Sequence, residues 1–331
     1  MLGSATHWDG AAPLVLVLLA LAADGLLGGL PGIRQLLGAP LAFVRGLTRW
    51  FDARLNRARR GVGALRMRGL LVVVVLIALA WAAGAALSHG SKRLPHGWMI
   101  EAFALLALLR QHDAIARTRR VARAIAAGEL DEARTDARPL ARYDAAALDE
   151  YGIARATIEG SVVRFTEGYL GSVFWYLLLG LPALCAYRAI TAAVDVIGRP
   201  SSRHAAFGFT AARLADVLTL PAAIVAGPVM ALAALFVPRT RPLRALAGWA
   251  RDLGERGVRA AFRSEGAMAG ALGIALGGPR PFDGETLPGA WIGNGRARAT
   301  VTDIRRAVLL ITVACLVVAL LLALALVAPS R

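Results

Sequence analysis

Long runs of apolar residues, separated by arginine-rich polar segments, dominate the chain. Six such runs stand out, at residues 13–30, 70–87, 97–109, 169–187, 218–237 and 307–327. A helix needs about 20 mostly apolar residues to cross a bilayer core, so runs near that length predict membrane helices. The run at 97–109 is shorter and suits a partly inserted helix, and Pro221 and Pro228 predict kinks in the fifth run. We therefore predict an all-α, polytopic membrane bundle with five to six membrane segments.

Two long polar segments, 110–166 and 239–306, are predicted to form helical loops outside the membrane. Within the first, Gly128 between alanine-rich stretches predicts a helical hairpin. Within the second, the small residues from Ala260 to Leu276 predict a tightly packed helix that ends at Gly277-Gly278-Pro279. No internal repeat or low-complexity linker is visible, so residues 1–331 are interpreted as a single domain.

Composition supports the membrane assignment and limits the classes of partner. The chain is 57% hydrophobic with a net charge of +16, and its mean hydropathy is +0.57, which excludes an ordinary soluble domain. Segments 45–68, 110–166 and 239–306 hold 30 of the 38 basic residues. The positive-inside rule then predicts that these three loops are cytoplasmic and contact anionic lipid headgroups, with the N-terminus outside. The same count places 188–217 outside, unless that segment dips back into the membrane or the number of spans is miscounted there. Nucleic acid is not expected, because the arginines are not interleaved with exposed aromatic residues.

Cysteine and histidine give no sign of a metal or disulfide framework. The two cysteines, Cys185 and Cys315, each lie inside an apolar run and are interpreted as packing residues. The five histidines are scattered without the spacing of a zinc site.

Acids inside or beside apolar runs are the candidate functional residues. Asp24 lies within the first run, Glu101 within the third, and Glu265 within the small-residue helix. An ionisable side chain at membrane depth is a functional candidate, although each could instead bond a neighbouring helix. Around the central run, Glu159 and Glu167 could be simple ion pairs that orient loops, Glu167 with Arg164 at helical spacing.

Several segments, taken in order, resemble the CobD/CbiB family of membrane proteins in cobalamin biosynthesis. The central likeness is SVFWYLLLGLPALCAYRAITAAVDVIG, which looks like the family's apolar span and its tyrosine–basic–alanine segment. It continues at Phe207-Gly208 and through Ala211 to Val217, returns from Ser264 to Pro279, and closes at Trp291-Ile292-Gly293 and Thr302-Asp303-Ile304. The resemblance covers nearly the whole chain.

The resemblance implies an enzyme of the bacterial inner membrane that forms an amide bond at the expense of ATP. Adenosylcobyric acid, a corrinoid, would be joined to aminopropanol or its phosphate, with ATP and Mg²⁺ required. By matching position, the resemblance implies catalytic roles for Glu159, Glu167 and Glu265, and substrate or phosphate binding by Arg188, Arg213, Asp216 and Asp303. Asp24 and Glu101 would be interior acids, and no metal ligand is identified.

Other positions depart from the family pattern and leave the activity open. Val163-Arg164-Phe165 stands where the family has Glu-Asn-Thr, and Thr191-Ala192-Ala193-Val194 stands where it has Asn-Thr-Leu-Asp. Valine and alanine cannot bind a metal ion. One alternative is therefore a catalytically silent relative, similar to the AmpE membrane protein linked to β-lactamase regulation. A third is a structural membrane protein without a ligand.

Overall fold

The architecture is almost entirely helical, as predicted. The structure, a computed structural model, describes residues 12–27, 31–57, 61–109, 111–141, 143–198, 203–254, 260–282 and 285–328. The helices are α1 (Ala12–Leu27), α2 (Pro31–Leu55), α3 (Val62–Ser91), α4 (Trp98–Leu109), α5 (Gln111–Ala126), α6 (Leu130–Ala137), α7 (Glu150–Val163), α8 (Gly171–Ile197), α9 (Phe209–Ala233), α10 (Pro242–Gly254), α11 (Ala260–Leu272) and α12 (Val301–Val327). A 3₁₀ turn, Ala145–Ala147, precedes α7, and a π-helical segment, Arg164–Leu170, joins α7 to α8.

The only described strands are four short ones between α11 and α12. Strand β1 (Leu276–Gly277) pairs antiparallel with β4 (Trp291–Ile292), and β2 (Arg280–Phe282) pairs antiparallel with β3 (Glu285–Leu287). The small-residue helix ends at Leu272, earlier than predicted, because Gly273 has a φ of 70° and stops the helix.

Four described helical stretches are long and apolar enough to cross a membrane. They are α3, the continuous stretch Glu150–Ile197, α9 and α12. The first apolar run forms a shorter helix, Pro13–Leu26, and the run at 97–109 forms the 12-residue α4, as its length indicated. The chain is therefore a polytopic helical membrane protein.

Most of the fifth run lies in α9, which continues past both of its prolines. Both Pro221 and Pro228 lie inside α9. A proline removes a helical hydrogen bond, but neighbouring groups in a membrane bundle can satisfy the freed carbonyls. Near Pro221, the indole of Trp175 donates to the carbonyl of Leu218 at 3.0 Å.

The stretch Glu150–Ile197 folds back on itself at Gly180, which has φ 76° and ψ −166°. We call residues 150–179 and 181–197 the two arms of the central hairpin. In a straight helix the 20 residues between Glu167 and Tyr187 would span about 30 Å. Instead the Tyr187 hydroxyl donates to the Glu167 carbonyl at 3.0 Å. The arms are therefore antiparallel, with Gly180 at the tip.

The central hairpin corrects the predicted topology around residues 188–217. The run at 169–187 is helical and apolar, but it is not one straight crossing, so the chain returns to the face it left. Residues on both sides of Gly198 confirm this: Asp195 pairs with Arg45 at 2.9 Å, and Arg203 pairs with Asp52 at 3.0 Å. Residues 188–198 and 203–208 thus lie on the same face as the first basic loop, and the expectation of opposite faces was wrong.

Gly84 allows α3 to pack closely against the tip of the central hairpin. A Cβ atom at Gly84 would lie 2.7 Å from the Cα of Pro182 and 3.0 Å from the Leu181 carbonyl oxygen. Gly84→Ala is therefore expected to lower stability by about 1–3 kcal/mol through overpacking. Gly90 is a matched control in the same helix, because a Cβ there meets nothing within 4 Å. Thermal unfolding in detergent tests this, and equal melting temperatures for the two alanine variants would contradict it.

Candidate functional site

A cavity of about 480 Å³ lies between the open ends of the central hairpin and the polar helices beside it. Its walls come from α2, the first turns of α5, the segment after α6, the π-helical segment and the end of α8. We call it the arginine cavity, because six arginines of the described residues line it: Arg45, Arg49, Arg117, Arg138, Arg164 and Arg188. Three acids accompany them: Asp113, Glu167 and Asp195. The described residues of the lining carry a formal charge of +3, which suits an anionic ligand.

Arg188 is the most deeply placed of these arginines and is 6% exposed. Its Nη1 lies 3.5 Å from the Thr191 hydroxyl, which is a long contact. Its Nε is buried and has no hydrogen-bond partner among the described residues. A guanidinium carries five N–H donors, and burying such a charge without partners is costly. A bound anion would supply the missing acceptors.

A second buried polar group in the wall also has an open bonding position. Gln111, the first residue of α5, is 4% exposed, and its Oε1 has no hydrogen-bond partner within the described part of the chain. An amide oxygen can accept from an amine or bind a metal ion. Arg188 and Gln111 together make the cavity a site prepared for a ligand rather than a fully bonded core.

Ion pairs fix three of the other arginines. Asp195 accepts from Arg45 Nη2 at 2.9 Å and from Arg164 Nη1 at 3.4 Å, and so ties α2 to both arms of the central hairpin. On α5, Asp113 pairs with Arg117 at 3.1 Å. These contacts hold the guanidinium groups in place, which lowers the entropy cost of binding. Arg164 therefore pairs with Asp195, across the hairpin.

Glu167 lines the cavity from the π-helical segment Arg164–Leu170. A π-helical turn adds one residue to the helix and occurs often at functional sites, because it re-aims side chains. The second arm packs here, where Tyr187 bonds the Glu167 carbonyl. Glu167 and Arg188 are thus the two predicted site residues that the fold brings into one cavity.

Glu159 and Glu265 lie behind the cavity wall formed by Leu140, Gly160 and Val163. Glu159 is buried and accepts from the Gly277 amide at 2.6 Å, the Tyr143 hydroxyl at 3.2 Å and Arg280 at 3.3 Å. Burial raises the pKa of Tyr143 well above its usual value, and Glu159 raises it further, so the hydroxyl stays protonated as a donor.

The space between the two glutamates is too small for a ligand. Both line a cavity of about 10 Å³, near the minimum for one water molecule. Glu159 joins the strand region to α7, which gives it a structural function. These two acids do not reach the arginine cavity directly.

The interior acids Asp24 and Glu101 bond neighbouring helices. The Asp24 carboxylate accepts from the backbone N–H of His112 at 2.8 Å, in the first turn of α5. It therefore caps the helix that carries Gln111 and Asp113, where a negative charge is favourable. Glu101 accepts from the Tyr176 hydroxyl at 3.1 Å.

The remaining predicted residues lie elsewhere. Arg213 is exposed on α9 and stacks over Phe209 at 5.5 Å, and Asp216 follows it on the same helix outside the cavity lining. Asp303 is buried in a capping box with Thr300 at the start of α12 and pairs with Arg296 at 2.6 Å. Asp303 therefore stabilises the start of α12.

Sequence reasoning missed most of the cavity arginines. Arg45, Arg49, Arg117 and Arg138 were interpreted as positive loop charges, because the segments that meet at the cavity lie far apart in the chain. The Asp195–Arg45 bond spans 150 residues. No local sequence spacing indicates this bond. The arginine-rich composition of the first and third predicted loops is the one signal that could have indicated the cavity.

The described residues contain no group of three or more histidines, cysteines and acids placed to hold a metal ion. A metal ion that arrives bound to phosphate needs fewer protein ligands, since phosphate oxygens and water supply most of its coordination. In the arginine cavity, Glu167 and Gln111 carry the oxygens that fit such an ion.

Comparison with known proteins assigns the family. No solved structure matches the chain significantly. The cobalamin biosynthesis protein CobD of Sinorhizobium fredii is 35% identical over 305 residues, which cover 91% of this chain and 93% of that protein. The protein of the same name from Rhodobacter capsulatus is 31% identical, over 85% of this chain and 87% of that protein. The one from Klebsiella pneumoniae is 32% identical, over 76% of this chain and 79% of that protein. The family model described as CobD/Cbib protein matches residues 17–311. The chain therefore belongs to the CobD/CbiB family.

Proposed function

We propose that this protein acts in cobalamin biosynthesis and joins the carboxyl group of adenosylcobyric acid to aminopropanol, or to its phosphate, at the expense of ATP. The observation that carries the proposal is the arginine cavity. Both a nucleoside triphosphate and a phosphorylated amine are anionic, and arginine binds phosphate through paired N–H donors. A volume of about 480 Å³ falls within the usual range for small-molecule sites.

Within this proposal the arginines bind and orient the reactants. Arg188, which is buried, holds the innermost phosphate group, and the buried Gln111 offers its oxygen to the amine or to the metal ion. The exposed Arg49 and Arg138 stand at the mouth. A corrinoid is too large for the cavity, so only its reacting side-chain carboxyl group enters. Neutralising the negative charge of that carboxylate and of the phosphates reduces their repulsion and brings the two reactants together.

Mg²⁺ is proposed to accompany ATP, held by phosphate oxygens together with Glu167. One carboxylate is enough, because Mg²⁺ at nucleotide sites keeps several waters and binds the phosphates directly. When bound, the ion supplies additional neutralisation of the phosphate charge. Glu167 is the candidate because it lines the arginine cavity from the π-helical segment, beside Gly168 and opposite Arg188.

The proposed location is the bacterial inner membrane, with the arginine cavity on the cytoplasmic side. Three basic segments line or adjoin this face, in accord with the positive-inside rule. ATP is present on that side. The cavity lies at the ends of the hairpin arms rather than at the apolar tip, so a water-soluble nucleotide reaches it without crossing lipid.

Glu167→Gln tests the proposed site. Purified protein in detergent, supplied with adenosylcobyric acid, ATP, Mg²⁺ and either amine, is expected to yield the amide product. We expect the variant to be about tenfold slower and to need more Mg²⁺, because a charged ligand is replaced by a neutral one. Glu101→Gln is the matched control, since that side chain bonds Tyr176 outside the cavity.

Two outcomes would contradict the proposal. If the wild-type protein makes no product, and a host without its own synthase does not regain cobalamin-dependent growth, the catalytically silent alternative is favoured. If product forms but Glu167→Gln and Glu101→Gln behave alike, the reaction stands and its site lies outside the arginine cavity.

A further inference from the structure

Helix α2 carries a stripe of large apolar side chains on its exposed face. Leu36, Phe43 and Trp50 are 59%, 72% and 51% exposed. They recur every seven residues, which at about 100° per residue returns to nearly the same side of a helix. We call them the α2 stripe. In a water-exposed helix this face would carry polar side chains.

The opposite face of α2 faces the protein. Its buried residues are Leu37, Leu41, Thr48 and Asp52. Arg45 and Arg49 lie on this side as well and line the arginine cavity. From Phe43, these six positions fall within about 60° of the far side of the helix, by the same rotation per residue. The helix is thus a wall with the cavity on one side and the α2 stripe on the other.

The path of α2 follows one face of the molecule. Near its start, Leu37 packs beside Leu106 and Ala107 near the end of α4. In the middle, Arg45 reaches Asp195 near the end of α8. Near its end, Asp52 meets Arg203 after that helix. A helix that passes successive ends of membrane elements lies across them rather than along them.

We propose that α2 lies in the plane of the membrane surface, with the α2 stripe inserted at the boundary between lipid headgroups and acyl chains. The occupant of this face is then the bilayer itself. Amphipathic helices of this type bury their apolar side a short distance into the interface and keep charges above it. The proposal does not depend on the reaction catalysed.

Two further features favour a bilayer over a protein partner. Trp50 stacks with Arg54 at 5.1 Å, and both residue types are favoured at the membrane interface. The end of α2 also packs on α3, whose Leu71 and Val74 are 57% and 52% exposed on a helix long enough to span. The α2 stripe thus adjoins a surface that already faces lipid.

Spin labels on single cysteines test the depth of α2. In protein whose Cys185 and Cys315 are replaced by alanine, Leu36→Cys, Phe43→Cys and Trp50→Cys are each labelled and reconstituted into phosphatidylethanolamine–phosphatidylglycerol vesicles. We expect the labels to collide with oxygen in preference to a water-soluble nickel complex, at a ratio several-fold above that of a water-exposed control. That control is Asp131→Cys, whose side chain is 97% exposed. Leu320→Cys on α12, at 59% exposure, is the lipid control.

Each alternative occupant gives a different signal. Labels at all three positions that behave like the one at Asp131 would overturn the proposal, because the α2 stripe would then face water. Labels shielded from both oxygen and nickel would overturn it in favour of a protein contact, with a second copy or another chain. Oxygen-to-nickel ratios that are similar at all three positions, and lie between those of Asp131 and Leu320, would support it.

Discussion

Replacing Arg188 with methionine is expected to reduce ATP-dependent product formation by about 100-fold without lowering stability. Hydrogen bonds to charged groups contribute about 1.5–3 kcal/mol, and each 1.4 kcal/mol is a factor of ten. The guanidinium is buried and makes a long contact with the Thr191 hydroxyl. An apolar side chain of similar length removes a desolvated charge, so the free energy of unfolding should stay equal or rise.

The measurement pairs product formation with thermal unfolding for the same samples. Arg213→Met is the matched control, because Arg213 is exposed on α9 and stacks on Phe209 away from the cavity. It should leave both activity and melting temperature near wild type. If Arg188→Met instead unfolds at a much lower temperature, Arg188 is a structural residue, and the anion-binding interpretation of the cavity fails.

Gly180→Ala is expected to disrupt the central hairpin and with it the cavity. The backbone at Gly180 has φ 76° and ψ −166°, a conformation that is accessible essentially to glycine alone. A Cβ there costs about 1–3 kcal/mol wherever the reversal is kept. Because the second arm carries both Arg188 and Asp195, any relaxation at the tip displaces the cavity wall.

Gly128→Ala is the matched control for backbone strain. Gly128 also has a positive φ, 79°, but it sits in an exposed turn between α5 and α6 with open space around it. Both variants should lose some stability. We expect only Gly180→Ala to weaken ATP binding measured by calorimetry, and unchanged binding in that variant would show that the tip and the cavity are independent.

The helical membrane architecture was predictable because its causes are local. Uncharged apolar runs of sufficient length predicted the membrane helices α3 and α12. Gly128 between alanine-rich stretches predicted the α5–α6 hairpin. Of the acids inside apolar runs, Asp24 and Glu265 are buried, whereas Glu101 is half-buried. The sequence alone did not distinguish a functional acid from one that caps a neighbouring helix, since the partner amide of His112 is 88 residues away.

The reversal at Gly180 was not predicted, although a signal was present. Gly180 is followed by Leu181-Pro182, and a residue before proline is disfavoured in the helical conformation. In a membrane segment the same signal also marks a simple kink, and tertiary contacts decide between them. Here the packing of Gly84 on Pro182, and of Tyr187 on Gly171, stabilises the reversal.

The arginine cavity could be predicted only in part for the same reason. Resemblance to the family selected Arg188 and Glu167, which the fold brings together. It also selected Glu159, Glu265 and Asp303, which lie outside the lining of that cavity. The positions at which the chain departs from the family pattern, Val163 and Arg164, line the cavity. Changes at these positions therefore alter the site itself.

The central hairpin also decides the parity of membrane crossings. A helical hairpin that enters the membrane and returns to the same side contributes an even number of membrane crossings. That number is zero or two, depending on how deep its tip reaches. Counting residues 169–187 as one crossing would invert the assigned side of every later segment. Reporter fusions placed before residue 150 and after residue 198 should accordingly report the same side of the membrane. The orientation of α9 and α12 then follows, because both helices come after a segment that starts and ends on that side.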